Sequence, residues 1–347
     1  MRIAHVAPLY ERVPPLLYGG TERVVSYLVE ELVHRGHEVT LFASGDSETQ
    51  AELIAPARRA LRLDPARPDP LALHTVELGQ VFQRAEEFDV IHCHVDYLAF
   101  PFSRLVPTAT VHTLHGRLDL PHHGCVLGHF RDVPLVSISE AQRRPVKDLD
   151  LNWVGTVHHG LPLELYPPGP GRGGYLAFLG RISPEKRPDL AIAVAKRVGL
   201  PLRIAAKVDA VDQAYFEREI QPLLSHPLVE FVGEIGDDAK AEFLGDALAL
   251  LFPIDWPEPF GLVMIEALAC GTPVVARRCG SVPEVIVPGR TGLIADTLDE
   301  LVEAVRHVGR LDRAACRREA ETRFSVGHMV DGYEEIYERL AAQAHVG

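Results

Sequence analysis

The chain has 347 residues, with 35 Lys plus Arg against 48 Asp plus Glu for a formal net charge of −13, and it is 47% hydrophobic and 24% charged. That length and apolar content suit two folded domains and exclude both a peptide module and an intrinsically disordered chain. Both halves are acidic, which argues against a nucleic-acid partner, because a phosphate backbone is met by a basic face. Five cysteines, Cys93, Cys125, Cys270, Cys279 and Cys316, are odd in number and form no CxxC pair. A disulfide framework is therefore not expected. Met1 to Pro8 is too short an apolar run for a signal peptide, and no stretch approaches the roughly 18 apolar residues of a membrane span. The expected location is the cytoplasm, with weak peripheral membrane contact as the most that a small surface patch would add.

In chain order, Ile3 to Ala7 reads as a buried strand, followed by a Pro- and Gly-rich loop and a helix from Thr21 to Arg35. Val24, Val25, Leu28, Val29, Leu32 and Val33 recur at helical spacing, Thr21 is a good N-cap, and Gly36 supplies a left-handed residue at the end. Val39 to Ala43 is the next strand, and strands at Val90–His94, Thr108–Leu114, Leu135–Ser139 and Gly155–His158 continue the alternation. Leu163 to Gly174 holds the densest Pro/Gly cluster and is the linker expected between domains. The rhythm then restarts. Strands are expected at Tyr175–Leu179, Leu202–Ala206, Val229–Val232, Leu248–Phe252 and Pro273–Ala276, with helices at Pro184–Val198, Asp212–Leu224, Asp237–Leu244 and Gly261–Ala269 and a helical end from Leu298 to Leu340. This is an α/β chain of two Rossmann-like, doubly wound domains, and open sheets of that kind bind ligands in the loops beyond the carboxyl ends of their strands.

Four motifs carry candidate chemistry. In Gly180-Arg181-Ile182-Ser183-Pro184-Glu185-Lys186, Ser183 and Pro184 account for a helix start. Arg181 and Lys186 flank that N-terminus, where the dipole already favours an anion, and together make a site for a diphosphate; plain surface charge is the alternative. In the segment Trp256 to Ala267, Gly261 opens a helix and lets a ligand approach the amides of Leu262 and Val263. Glu266 sits among Leu262, Val263, Ile265, Leu268 and Ala269, so its carboxylate must find donors or neutralise. A ribose diol would supply two hydroxyls, and an internal arginine is the alternative. Tyr18-Gly19-Gly20-Thr21-Glu22 has neither GxGxxG nor Walker spacing and serves either as a turn or as a contact for a diphosphate or acceptor. His115 leaves the strand that carries His112, where its side chain can reach a cleft.

Thirteen of the 17 histidines precede residue 161, among them His92 with His94, His122 with His123 and His158 with His159, so a zinc site has to be weighed. No HExxH or Cys/His ligand set accompanies them, and no metal is expected. Asp148-Leu149-Asp150 reads as solvated surface.

On these residues the sequence resembles glycosyltransferase family 4, retaining enzymes of the GT-B fold that use nucleotide sugars. The resemblance rests on Gly180-Arg181 with Lys186, on Glu258 and Glu266 in a Glu-x7-Glu arrangement within Glu-Pro-Phe-Gly, on Ala269-Cys270-Gly271-Thr272-Pro273-Val274-Val275-Ala276 and on Gly280-Ser281-Val282-Pro283-Glu284. Cys279 stands where relatives often have a second glycine. The resemblance implies an acceptor-side domain over 1–165 and a donor domain over 166–325, facing a central cleft, with a terminal helix of about 326–347 crossing back to the first.

It implies a catalytic set of His115, Glu258, Arg181 and Lys186. The donor would be held by Gly19, Gly20, Arg181, Lys186, Glu258, Phe260, Gly261, Leu262, Val263 and Glu266, with the base near Gly233, Glu234 and Ile235. The nucleoside-diphosphate sugar is then a co-substrate, UDP-glucose first and GDP-mannose second, with no cofactor and no obligatory metal. The acceptor is a small molecule, glycan or glycolipid, met by loops that carry Tyr10, Arg12, Tyr18, Tyr97 and Asp119. A GT-B isomerase or phosphorylase and a non-catalytic sugar-nucleotide binding protein are the competing readings.

Overall fold

A computed structural model describes residues 1–344; the last three residues, to which the terminal helix was expected to run, lie outside the described residues. The chain forms two compact units, Met1–Gly160 completed by the helix Val326–Ala344, and Leu161–Ser325.

The first unit is built on a seven-stranded sheet in the order β3-β2-β1-β4-β5-β6-β7, with every neighbouring pair parallel. The strands are β1 Arg2–Val6, β2 Glu38–Ser44, β3 Glu52–Ala57, β4 Val90–Cys93, β5 Ala109–Thr113, β6 Leu135–Ser137 and β7 Trp153–Thr156. The edge strand β3 escapes a reading by pattern because Pro56 interrupts it, and a proline is tolerated in a sheet only at such an edge. The helix Gly20–His34 buries Val24, Val25, Leu28, Val29 and Leu32, as its spacing predicts. Val326–Ala344 belongs to this unit. Met329, Val330, Tyr333, Ile336 and Tyr337 make its buried stripe, and Arg35 pairs with Asp331 and Glu334 on its polar side.

The second unit has a six-stranded sheet in the order β10-β9-β8-β11-β12-β13, also parallel throughout. Its strands are β8 Leu176–Arg181, β9 Leu202–Lys207, β10 Val229–Gly233, β11 Ala249–Phe252, β12 Val274–Arg277 and β13 Gly292–Ala295. Two expectations are corrected here. The helix expected from Pro184 is two elements, a single 3-10 turn Pro184–Lys186 and a helix Pro188–Val198, separated by Arg187 at φ +54°. Pro188 lacks an N–H and disfavours helical geometry in the residue before it, so no helix can run through Arg187. The helix expected over Asp212–Leu224 is present as one unbroken helical run over 210–225 that passes from 3-10 to α to π and back to 3-10 geometry, with Pro222 in the last stretch.

The second correction concerns the Pro/Gly run. The division between units falls at Gly160/Leu161, and the run packs into the second unit: Gly169 N–H donates to Cys270 O at 3.0 Å and Gly171 N–H to Gly245 O at 2.9 Å. A Cβ on Gly169 would lie 2.3 Å from the Gly245 backbone, so glycine here serves close approach rather than freedom.

One buried group sits badly in the first unit. Glu77, on the helix Pro70–Gln83, is fully buried beside the cluster of Leu78, Val81, Phe88, Ile91 and Cys93, and neither carboxylate oxygen has a hydrogen-bond partner among the described residues. Burial pushes its carboxyl well above the usual carboxylate range. The folded state therefore holds a proton that the unfolded state releases, and stability falls as pH rises from the ordinary glutamate value toward the raised one. Glu77→Met should stabilise the protein by about 1–3 kcal/mol at pH 8, with the gain shrinking toward pH 4. Urea unfolding of both proteins at the two pH values checks this.

Candidate active site

In the second unit the loops after β8, β11 and β12 converge, as neighbouring strands of one sheet require. Asp255 N–H donates to Glu185 O at 2.8 Å, and Ser281 N–H donates to Glu258 O at 3.0 Å. Gly280 lies at φ +52°, and a Cβ there would stand 2.3 Å from Glu258 O and 2.4 Å from Glu258 N. Gly280, rather than its neighbour Cys279, is thus the position in this loop where the backbone of Glu258 leaves no room for a side chain.

At this junction Lys186 Nζ donates to Glu258 Oε2, and Trp256 Nε1 donates to the same oxygen at 2.9 Å. The ammonium also lies 5.0 Å from the centre of the Trp256 ring and 5.6 Å from that of Phe252, within reach of a cation–π attraction. Glu258 is buried, so its charge is stabilised by these two donors. The structure therefore joins two of the residues that the sequence picked separately.

Gly261, at φ +80°, opens the helix Leu262–Ala269, and no side chain caps it. Leu262 and Val263 in its first turn are half-buried, while everything from Met264 onward is buried. A helix start of this kind presents amides and a positive dipole end to an anion. Phe260 is placed differently from expectation. Its ring is buried and meets Phe324 edge-on at 6.1 Å, so its main chain, not its ring, can meet a ligand.

Glu266, buried on the same helix, has two protein partners. Tyr166 Oη and Lys240 Nζ each donate to Oε1 at 3.1 Å. The internal partner is a lysine, not the arginine weighed from sequence, and neither bond uses Oε2. Lys240 comes from the helix Asp237–Gly245, and Gly233, Glu234 and Ile235 lead into that helix from β10. Gly233 sits at φ +79°, where the β10 register shifts. Sequence reasoning missed both Tyr166 and Lys240. The signal for a partner was the charge of Glu266 in an apolar helix, but nothing local named which residue it was.

Arg181, at the end of β8, is compensated by three acids. Its guanidinium meets Glu185 at 2.6 Å, Asp209 at 3.5 Å and Asp212 at 3.8 Å. Asp209 also pairs with Lys207, the register partner of Arg181 on β9. An arriving diphosphate would compete with these carboxylates for Arg181.

In the first unit, Gly19 precedes the helix Gly20–His34 and is buried against Pro15, where a Cβ would come within 2.7 Å, while Gly20 is exposed. Glu22 in the first turn is buried, which pushes its carboxyl up to about 7. Among the acceptor candidates, Tyr10, Tyr18 and Tyr97 are exposed. Arg12 is tied to Glu48 at 2.9 Å and Asp119 to Arg117 at 2.5 Å, so neither offers an uncompensated charge.

His115 lies just beyond β5, half-buried, and burial pushes its imidazole down to about 3. Its Nε2 is 2.9 Å from His94 Nδ1. His5, His92 and His94 each offer a ring nitrogen within 4.8 Å of the others, the one such grouping among the described residues. His92 already bonds Tyr337 Oη at 2.6 Å and Thr113 Oγ1 at 2.7 Å, while His5 Nδ1 and His94 Nε2 bond each other at 3.2 Å. These rings form a hydrogen-bond network as they stand. No described helix is long and apolar enough to cross a membrane.

The models of two families, Glycosyltransferase Family 4 and Glycosyl transferases group 1, match residues 18–135 and 169–323. A D-inositol 3-phosphate glycosyltransferase of Mycolicibacterium smegmatis is 28% identical over 92% of this chain and 86% of its own. Two solved structures share the fold. Sucrose-phosphate synthase from Thermosynechococcus elongatus superposes with a TM-score of 0.79 at 19% identity over 99% of each chain. Anabaena Alr3699/HepE, in complex with UDP-glucose, superposes with a TM-score of 0.74 at 18% identity over 99% of this chain and 100% of that one. The protein is a glycosyltransferase of the GT-B fold. It belongs to the family-4 type.

Because Lys240 and Glu266 are 12% and 4% exposed, removing the lysine leaves a carboxylate with little water to answer it. Lys240→Met should cost roughly 1–3 kcal/mol. Adding Glu266→Leu should recover most of that loss, and chemical denaturation of the single and double variants checks both statements.

Proposed function

We propose that the protein is a retaining, metal-independent hexosyltransferase that moves glucose from UDP-glucose, or failing that mannose from GDP-mannose, to an acceptor hydroxyl. The observation that carries this reading is the arrangement around Glu258. A lysine ammonium, held by Glu258 and by the faces of Trp256 and Phe252, stands in the loop cluster from which the Gly261 helix opens with uncapped amides.

In transfer, the bond between the sugar's anomeric carbon and the β-phosphate oxygen breaks and a bond to the acceptor oxygen forms. The acceptor's proton passes to the departing diphosphate, which for retention leaves from the same face that the acceptor attacks. The chain's part is to stabilise the charge that develops on the diphosphate. Lys186 and Arg181 supply cations, and Leu262 and Val263 supply amides. Glu266, with Oε1 occupied by Tyr166 and Lys240, offers Oε2 to the ribose hydroxyls. With the charge met by these groups, the reaction has no need of a metal bridge. Glu258 would meet the sugar once Lys186 turns to the phosphates, and His115 keeps the sugar-contact role that the family resemblance implies for it. The acceptor is a polar hydroxyl compound, and the relative's name makes inositol phosphates the first to try.

The test is release of nucleoside diphosphate from UDP-, GDP-, ADP- and TDP-sugars in excess chelator, with inositol phosphates and simple sugars as acceptors. UDP release from UDP-glucose, undiminished by chelator and lowered about 10²-fold or more by Arg181→Ala, is the expected result. Release that stops with chelator and returns with a divalent cation would contradict metal independence. Tight binding of UDP without turnover on any acceptor would favour the non-catalytic reading.

A further inference from the structure

His115 is the end of a line of three imidazoles. His5 comes from β1, His94 follows β4 and His115 follows β5, and these are three neighbouring strands of the first sheet. His5 Nδ1 lies 3.2 Å from His94 Nε2, and His94 Nδ1 lies 2.9 Å from His115 Nε2. His5 and His94 stack with ring centres 5.4 Å apart and planes 14° from parallel; His115 stacks on His159 at the same distance and 17°. His5 and His94 are buried, and His115 is the member that reaches partial exposure.

Burial holds all three rings neutral. It pushes His5 and His115 down to about 3 and His94 well below its ordinary value. A neutral imidazole has one N–H and one lone pair. Since both nitrogens of His94 are engaged, it must donate to one neighbour and accept from the other. The line therefore has a direction, and that direction decides which nitrogen of His115 carries the proton. Neither end atom, His5 Nε2 nor His115 Nδ1, has a hydrogen-bond partner among the described residues. His115 thus has Nε2 committed to His94, while its Nδ1 is buried and unpartnered among the described residues.

We propose that His94, backed by His5, is a positioning residue that fixes both the orientation and the tautomer of His115. The same cluster could be read as a metal site, but both His92 nitrogens are taken by hydroxyls and the facing nitrogens of His5 and His94 are taken by each other. The proposal rests on the reading of His115 as a sugar contact, and its test is chosen to separate the two.

An asparagine amide can occupy the place of His94 Nδ1 and keep the bond to His115, whereas a glutamine amide reaches the place of Nε2 and keeps only the bond to His5. His94→Phe keeps neither. The first readout is the imidazole nitrogen spectrum of the full chain labelled with 15N-histidine. His115 should show a single neutral tautomer in the native protein and in His94→Asn, and a mixture in His94→Gln and His94→Phe. The second readout is turnover of the donor identified by nucleotide release. There kcat should fall about tenfold to a hundredfold in His94→Phe and His94→Gln, recover to within a few-fold in His94→Asn, and leave the donor KM little changed.

A His115 tautomer that is the same in all four proteins, or equal kcat in the Asn, Gln and Phe variants, would overturn the proposal. A tautomer that changes as stated in a protein that turns over no donor would leave the His94 tie standing and overturn the sugar-contact reading instead. Zinc-induced shifts of the ring nitrogens of His5, His92 and His94 would overturn the proposal and replace the hydrogen-bonded line with a metal centre.

Discussion

A carboxylate taken out of water must be met by donors, and the second unit is arranged around two that are met mainly by lysines. Glu258 sits before the Gly261 helix and Glu266 within it; Lys186 and Trp256 answer the first, Lys240 and Tyr166 the second. Burying an ion pair costs desolvation that its attraction only partly returns, so such pairs are poor devices for stability alone. They are good devices for keeping flexible cations at fixed places. Lys186 would otherwise sample many rotamers, and the Glu258 pair keeps it at the convergence of three loops. A diphosphate reaching that point would exchange one anionic partner for another, which costs less than bringing a bare cation out of water.

Arg181 follows the same logic in a less enclosed setting. Three acids surround it and Lys207 shares one of them, so the guanidinium is oriented but not uncompensated. The overall charge of −13 is therefore no obstacle to an anionic ligand. What matters is that cations are placed by local pairs, and that the amides of a helix start lie in the same loop cluster.

How much of this could be read from the sequence depends on how local each signal is. The parallel alternation, the helix Gly20–His34, and the choice of Arg181, Lys186 and Glu266 follow from periodicity, cations beside a helix start and a charge in an apolar helix, whereas Glu258 comes from the family resemblance. β13 and β3 do not follow from these signals, and the second carries Pro56 at an edge. The break at Arg187 was legible in Pro188 but was overridden by the plausible helix start at Ser183-Pro184. The Pro/Gly run looked like a linker because composition does not distinguish glycines that give freedom from glycines that let two backbones touch, as Gly169 and Gly245 do. Long-range partners were beyond reach. Tyr166 is 100 residues from Glu266, and His5 is 89 residues from His94. The clustered histidines stand out in the sequence, but only the order of strands β1, β4 and β5 shows why they line up.

The most direct measurement is a crystal structure of the protein with UDP and no divalent cation. The diphosphate should lie on Lys186, Arg181 and the amides of Leu262 and Val263, with Lys186 turned from Glu258 and the ribose hydroxyls on Glu266 Oε2. A nucleotide seated elsewhere, or one at this loop cluster with Lys186 still on Glu258 and the phosphates out of its reach, would contradict the role assigned to the paired carboxylates.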